Sequence, residues 1–65
     1  MKIILNGEPA EVHASTLDAA LVELGFGAAK VATALNEAFV ASGARADTTL
    51  SEGDRLEVLA PMQGG

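Results

Sequence analysis

The absence of cysteine constrains the fold of this 65-residue chain more than any other sequence feature. Without thiols, neither disulfides nor thiolate-bound metals can hold the chain together, and one histidine, His13, cannot build a zinc site alone. A chain of this length is near the lower limit for independent folding, so we expect one domain around one hydrophobic core. Aromatic residues make up only 3% of the chain. The core must therefore consist of Leu, Ile, Val and Ala.

The charge balance argues against nucleic acid as a partner. Nine acidic and four basic residues give a formal net charge of −5, which opposes binding to nucleic-acid phosphates and favours a basic protein surface instead. No apolar run approaches the ~20 residues of a membrane span, and the N-terminus lacks a signal-peptide pattern. We therefore expect a cytoplasmic protein that is monomeric on its own and binds neither nucleic acid nor membrane.

The first residues predict a β-hairpin. Met1–Leu5 is a short apolar run, and Asn6-Gly7 tolerates the positive φ angles of a two-residue hairpin turn. We expect the return strand at Ala10–His13, with Pro9 at an edge position where a missing N–H is tolerated. Alternation along the first strand turns Ile4 away from the face that its neighbours share.

One helix is predicted in the chain. Ser15–Asp18 has the spacing of a capping box, and the helix should run from Leu17 to Leu24. Gly25 stands where a left-handed C-cap belongs, and Phe26 could pack back on the last turn. The apolar stripe has i, i+3, i+4 and i+7 spacing and consists of Leu17, Ala20, Leu21 and Leu24.

Three more strands follow, at Val31–Asn36, Ala38–Ala41 and Arg55–Leu59. The polar stretch from Ser42 to Thr49 is predicted to be a loop, pinned to the core by Leu50. Turns are predicted at Asn36-Glu37 and Glu52-Gly53-Asp54. The order of elements favours an α+β fold, a mixed five-stranded sheet curled around the helix. The first and last strands should pair in parallel at its centre, because a crossover containing the helix separates them.

The chain should divide into a folded domain, residues 1–60, and a flexible tail, Pro61-Met62-Gln63-Gly64-Gly65. Gly64 and Gly65 have no Cβ, so the tail can thread a narrow slot, while Pro61 favours a stretched exit from the domain. The terminal carboxylate is ionised at neutral pH and can enter a partner's active site. A frayed terminus or an engineering scar would also end in this way.

Three segments and the diglycine together resemble the ThiS family, the sulfur-carrier proteins of thiamine biosynthesis, which have the ubiquitin-like β-grasp fold. The segments are Met1-Lys2-Ile3-Ile4-Leu5-Asn6-Gly7, Val31-Ala32-Thr33-Ala34-Leu35-Asn36-Glu37 and Leu50-Ser51-Glu52-Gly53-Asp54-Arg55-Leu56-Glu57-Val58. The chain departs from the family in lacking a Pro-Arg pair and a tryptophan before the last strand. It also has Gln63 where many members have a third glycine.

The resemblance implies that Gly65 is modified and that the chain is a cosubstrate with no catalytic group or bound cofactor. A ThiF-like partner would use ATP and magnesium to adenylate Gly65. Sulfur from a cysteine desulfurase would then give a thiocarboxylate, which donates sulfur to a ThiG-like thiazole synthase. Gly64, Gln63 and Met62 would occupy the partner channel, and Ile4 and Leu59, if both face away from the helix, form a possible partner surface.

Two other functions are consistent with the same sequence. One is a MoaD-like small subunit of molybdopterin synthase, which uses the same terminus and activation. The other is a β-grasp interaction or conjugation module whose tail forms an amide with lysine. His13 is interpreted as a surface or partly covered residue at a strand end, and the acidic residues as caps, turn formers and solvated faces.

Overall fold

The computed structural model describes residues 1–27 and 29–60. The predicted tail, including Met62, Gln63, Gly64 and Gly65, lies outside these residues, and the boundary at residue 60 stays a prediction. The described chain contains five strands, one α-helix and one short 3-10 helix. In chain order they are β1 (Lys2–Leu5), β2 (Glu8–Glu11), α1 (Leu17–Glu23), β3 (Ala32–Leu35), β4 (Ala38–Val40), the 3-10 helix (Ser42–Asp47) and β5 (Arg55–Leu59).

The five strands form one mixed sheet in the order β2-β1-β5-β3-β4. β1 and β5 pair in parallel, with Ile4 opposite Arg55 and Leu5 opposite Leu56. The other neighbouring strands are antiparallel. The predicted parallel pair and the mixed sheet are confirmed, and the strand that leads to the tail lies at the centre of the sheet.

Both predicted hairpin turns are present, with positive φ at Asn6 (49°), Gly7 (84°), Asn36 (51°) and Glu37 (73°). The prediction of β2 at Ala10–His13 was wrong in its bounds. A two-residue turn places Glu8 directly opposite Leu5, so pairing begins at Glu8 rather than after proline. Proline is tolerated because β2 is an edge strand, as predicted.

The hydrophobic core lies between the sheet and α1. Leu50, predicted to pin the loop, is 4% exposed, and its backbone N–H donates to the Ser15 carbonyl at 2.9 Å. Aliphatic side chains fill the core, as the low aromatic content requires. The buried apolar residues are Ile3, Val12, Leu17, Ala20, Leu21, Leu50, Leu56 and Val58.

The C-terminus of α1 follows the prediction. The helix ends at Glu23, Leu24 is its C-cap, and Gly25 has a φ of 96°. The Phe26 N–H donates to the Leu21 carbonyl at 2.7 Å, and the Gly25 N–H donates to the Val22 carbonyl at 3.1 Å. These two bonds form a Schellman motif, and Phe26 packs against the core as expected.

The predicted capping box at Ser15–Asp18 was wrong. The N-cap is Thr16, which makes no side-chain cap hydrogen bond, and its hydroxyl donates to the Asp18 carboxylate at 2.7 Å instead. The Leu17 N–H donates to the Thr48 carbonyl at 2.9 Å. A backbone segment distant in sequence therefore satisfies the first N–H of the helix, while the Asp18 carboxylate accepts from the Ala19 N–H at 2.8 Å.

The stretch predicted to be a loop contains the 3-10 helix. Arg45 anchors this helix, because its Nη2 donates to the Val31 carbonyl at 2.7 Å and its Nε donates to the Thr33 hydroxyl at 3.1 Å. The Thr33 hydroxyl donates in turn to the Val40 carbonyl at 2.8 Å. Local sequence could not show these contacts, since Arg45 and Thr33 are 12 positions apart.

Candidate functional site: the outer sheet face and the root of the tail

The sheet has one face against α1 and an outer face away from it. Along β5, Leu56 and Val58 are buried, whereas Leu59 is 67% exposed. Ile4 lies opposite Arg55. Arg55 is exposed and alternates with the buried Leu56 and Val58, so Arg55 and Ile4 both belong to the outer face. The structure therefore places the two predicted surface residues, Ile4 and Leu59, on the same face. Ile4 is half-buried there.

Phe39 belongs to the same face and was missed in the sequence analysis. It is 73% exposed and lies opposite Ala34, which lies opposite Glu57 on β5. The signal was present in β4, because Phe39 alternates with Val40, which is half-buried and packs against the core. We use "outer face" for this surface, whose apolar residues are Ile4, Pro9, Ala32, Ala34, Phe39 and Leu59.

Charged residues lie beside this apolar surface. Arg55 Nη2 is 3.8 Å from Glu37 Oε2, and both side chains are more than half exposed. An exposed pair at this distance contributes little to stability, so a partner can engage either group. A shallow depression of about 200 Å³ opens between them, lined by Ile4, Gly7, Glu37, Arg55, Leu56 and Glu57.

The root of the tail lies at one end of the outer face. β5 ends at Leu59, which pairs with Ala32 of β3, and Ala60 follows. These residues line a groove of about 300 Å³ together with Lys30 and Val31. Arg45 holds the Val31 carbonyl and thus one wall of the groove. The chain leaves the sheet beside Leu59, so the exposed apolar surface and the start of the tail are adjacent.

His13 is a surface residue, as predicted, with its side chain 87% exposed. Its backbone N–H and that of Ala14 donate to the Glu23 carboxylate at 2.9 and 3.0 Å, and its Nδ1 is 3.0 Å from Glu23 Oε2. The hydrogen bonds from these two backbone N–H groups and the His13 ring lower the pKa of Glu23 below its usual value. This contact joins the end of α1 to the segment after β2.

Residues 1–27 and 29–60 contain no group of three or more metal-ligating side chains that could hold an ion. Within the same residues, a helix with the length and apolarity to cross a membrane is absent.

The topology defines the class of the protein. A mixed five-stranded sheet with a parallel central pair and one helix packed on one face is the ubiquitin-like β-grasp fold. In this chain the central strand β5 leads to the carboxyl-terminal diglycine of the sequence.

Comparison with known proteins identifies the family. The sequence model of the ThiS family matches residues 3–65. The sulfur carrier protein ThiS of Thermus thermophilus is 43% identical over 61 residues, covering 94% of this chain and 95% of that protein. A crystal structure of the thiamine biosynthesis protein ThiS from Geobacter metallireducens superposes with a TM-score of 0.84, at 30% identity and full coverage of both chains. The chain belongs to the ThiS family.

Other relatives are much longer than this chain. A thiazole synthase of Magnetococcus marinus is 44% identical over 66 residues, which cover all of this chain and 20% of that protein. A thiazole synthase of Paramagnetospirillum magneticum is 39% identical with the same coverage. The chain thus spans about a fifth of the length of these two relatives.

Proposed function

We propose that this protein is a sulfur carrier for thiazole formation in thiamine biosynthesis, and that it carries sulfur as a thiocarboxylate on Gly65. The observation that carries the proposal is the ThiS family match, which extends over residues 3–65 and therefore includes the terminal diglycine. The relative from Thermus thermophilus, which has nearly the same length, is named a sulfur carrier protein.

The proposed chemistry takes place on the terminal carboxylate. A carboxylate resists nucleophiles until one oxygen becomes part of a leaving group, and attack on the α-phosphorus of ATP achieves this with release of pyrophosphate. The terminal sulfur of a cysteine persulfide then displaces AMP, and a thiol cleaves the resulting S–S bond to leave the thiocarboxylate. Magnesium and cationic groups of the activating enzyme would neutralise the phosphate charge.

In this proposal the chain is a protein cosubstrate rather than an enzyme. Its β-grasp body presents Gly65, while a ThiF-like enzyme supplies ATP and Mg²⁺ and a cysteine desulfurase supplies sulfur. Gly64, Gln63 and Met62 would lie in the channel of the activating enzyme. We place these reactions in the cytoplasm.

A thiazole synthase is the proposed acceptor of the sulfur. Two relatives named thiazole synthase contain a segment that matches the whole of this chain. A carrier sequence within the same polypeptide as a synthase supports a functional association between the two. Separate chains would need a docking surface to reach the same proximity.

We propose the outer face as the docking surface for both the thiazole synthase and the activating enzyme. Leu59 and Phe39 are large apolar side chains exposed to solvent, and Leu59 lies at the root of the tail. A partner that covers this face would therefore also receive the tail. Because the chain has a net charge of −5, the matching surface should be apolar at its centre and basic around it.

Intact-mass measurement tests the proposed function. The protein is incubated with a ThiF-like enzyme, ATP, Mg²⁺, a cysteine desulfurase and cysteine, and the expected product has one oxygen of Gly65 replaced by sulfur. The control is the chain without Gly65, which should fold but remain unmodified. An unchanged mass of the full chain, with an activating enzyme shown to modify its own carrier, would refute the proposal.

A further inference from the structure

The parallel pairing between β1 and β5 ends before β5 does. The Ile4 N–H donates to the Asp54 carbonyl at 2.8 Å, and the Asn6 N–H donates to the Leu56 carbonyl at 2.9 Å. The chain then turns back at Asn6-Gly7. β5 continues to Leu59, so the backbone of β1 stops short of Val58.

The side chain of Asn6 takes the place of the missing strand residue. The Val58 N–H donates to Asn6 Oδ1 at 2.9 Å, and Asn6 Nδ2 donates to the Val58 carbonyl at 3.2 Å. A carboxamide has the same donor and acceptor as a peptide group, so it can pair with both backbone groups of one residue. Asn6 thus extends the parallel pairing by one residue.

This contact acts on the segment from which the tail leaves. Val58 precedes Ala60 by two positions, and Ala60 lines the groove at the root of the tail. On its other side, β5 pairs with β3, with Val58 opposite Thr33 and Leu59 opposite Ala32. The end of β5 is therefore flanked on both sides, by β3 on one side and by the hydrogen bonds of the Asn6 carboxamide on the β1 side.

We propose that Asn6 is a positioning residue for sulfur loading: its carboxamide fixes the direction in which the end of β5 delivers the tail. The inference rests on the proposed function. A partner that binds the outer face receives the tail at a fixed place, so a change in the exit direction moves the carboxylate away from the ATP phosphorus. Small displacements of a reacting group lower rates by large factors.

Asn36 provides a matched control within the same sheet. It is also the first residue of a two-residue turn, with a φ of 51° against 49° for Asn6. Its Oδ1 accepts from the Arg55 N–H at 2.9 Å, and its Nδ2 donates to the Asp54 carboxylate at 3.0 Å. Asn36 therefore also uses both ends of its carboxamide, on one backbone group and one side chain at the start of β5, far along the strand from the tail.

The test compares Asn6→Gly with Asn36→Gly. Glycine accepts the positive φ of both positions, so each substitution removes the carboxamide without straining the turn. Both variants and the wild type are assayed with the activating enzyme at a temperature at which circular dichroism shows all three to be folded. We expect kcat for thiocarboxylate formation to fall about tenfold for Asn6→Gly and less than about twofold for Asn36→Gly, with KM little changed in both.

The kinetic constants separate positioning from simple destabilisation and from docking. Equal kcat values for the two variants would overturn the inference, because a general weakening of the sheet affects both. A rise in KM alone for Asn6→Gly would also overturn it, since that result indicates docking. If the wild type itself gains no sulfur, the proposed sulfur-carrier function is refuted. That result differs from one in which the wild type is loaded and the two variants behave alike, which refutes only the role of Asn6.

Amide hydrogen exchange supplies a second measurement that requires no partner. In Asn6→Gly, the Val58 amide should exchange faster relative to the Thr33 amide than it does in the wild type. In Asn36→Gly, that ratio should stay unchanged. An unchanged ratio in Asn6→Gly would show that Asn6 does not hold the end of β5, and it would overturn the inference.

Discussion

The Arg45 guanidinium donates through Nε to the hydroxyl of Thr33, which is 2% exposed and is itself a donor to the Val40 carbonyl. This chain of hydrogen bonds joins the 3-10 helix, β3 and β4. Replacing Thr33 by Val keeps the shape but leaves the Arg45 Nε and the Val40 carbonyl without this partner. We expect the free energy of unfolding to fall by about 1–3 kcal/mol, measured by urea denaturation.

Thr48→Val is the control for this substitution. Thr48 lies next to the same 3-10 helix and makes one side-chain hydrogen bond, to the Ala44 carbonyl at 2.8 Å, at an exposed site. Its loss should cost about 0.5–1 kcal/mol, because water can replace the donor. If both substitutions lowered the free energy of unfolding equally, the buried network would contribute no more to stability than the single exposed hydrogen bond.

The turn residue Glu37 has a φ of 73°, which is unfavourable for a residue with a Cβ. Both Glu37→Gly and Glu37→Ala remove the weak ion pair with Arg55. Glycine also relieves the backbone strain, whereas alanine retains it. We expect Glu37→Gly to be more stable than Glu37→Ala by about 1 kcal/mol in thermal or urea unfolding. If alanine were the more stable replacement, strain at this turn would be refuted.

Stability should depend on pH through Glu23. The backbone N–H groups of His13 and Ala14 and the His13 ring lower its pKa in the folded state below the usual 4.5. A group with a lowered folded-state pKa contributes stability above its unfolded-state pKa, and this contribution is lost as the pH falls through the folded-state value. The free energy of unfolding should therefore decline on acidification below about pH 4.5.

Glu23→Gln tests this pH dependence because glutamine cannot ionise. The variant should be less stable than the wild type at pH 7, and the difference between them should shrink towards pH 3. Glu8→Gln changes the formal charge equally at an exposed position of β2 and serves as the control. A constant difference between Glu23→Gln and the wild type across this range would contradict the prediction.

The core should tolerate little loss of volume. Leu17 is fully buried between α1 and the sheet, and Leu17→Ala should cost about 2–5 kcal/mol. Small domains have only a few kcal/mol to spare, so this variant should be largely unfolded by circular dichroism at 37 °C. Val22→Ala on the solvent side of the same helix, at a residue 66% exposed, should change stability by less than about 0.5 kcal/mol.

Docking on the outer face can be tested with two apolar residues that have similar exposed fractions. Phe39 is 73% exposed on the outer face, and Val22 is 66% exposed on α1. We expect Phe39→Ala to raise the Kd for the activating enzyme about tenfold, as the loss of an apolar anchor does, and Val22→Ala to leave it unchanged. Isothermal titration calorimetry with the purified partner measures both. A larger effect of Val22→Ala would place the docking surface on the helix side.

Much of the fold could be predicted because its signals are local. The turn at Asn6-Gly7 needs residues that tolerate positive φ, and Gly25 stops the helix for the same reason. The alternation of Leu56 and Val58 with exposed neighbours gave the bounds of β5 and the face of Leu59, and the alternation along β1 gave the face of Ile4. Phe39 could have been assigned by the same rule, but the short strand β4 offered few positions to establish the alternation.

The sequence by itself determined which residues turn and which face the core, because backbone sterics and the side-chain period act over a few residues. The tertiary structure decided how distant segments satisfy one another. The Leu17 N–H at the start of α1 donates to the Thr48 carbonyl, the 3-10 helix is anchored on Thr33, and Asn6 pairs with Val58 across 52 positions. Each of these contacts joins polar groups that only chain folding brings within hydrogen-bonding distance, so no local pattern encodes them.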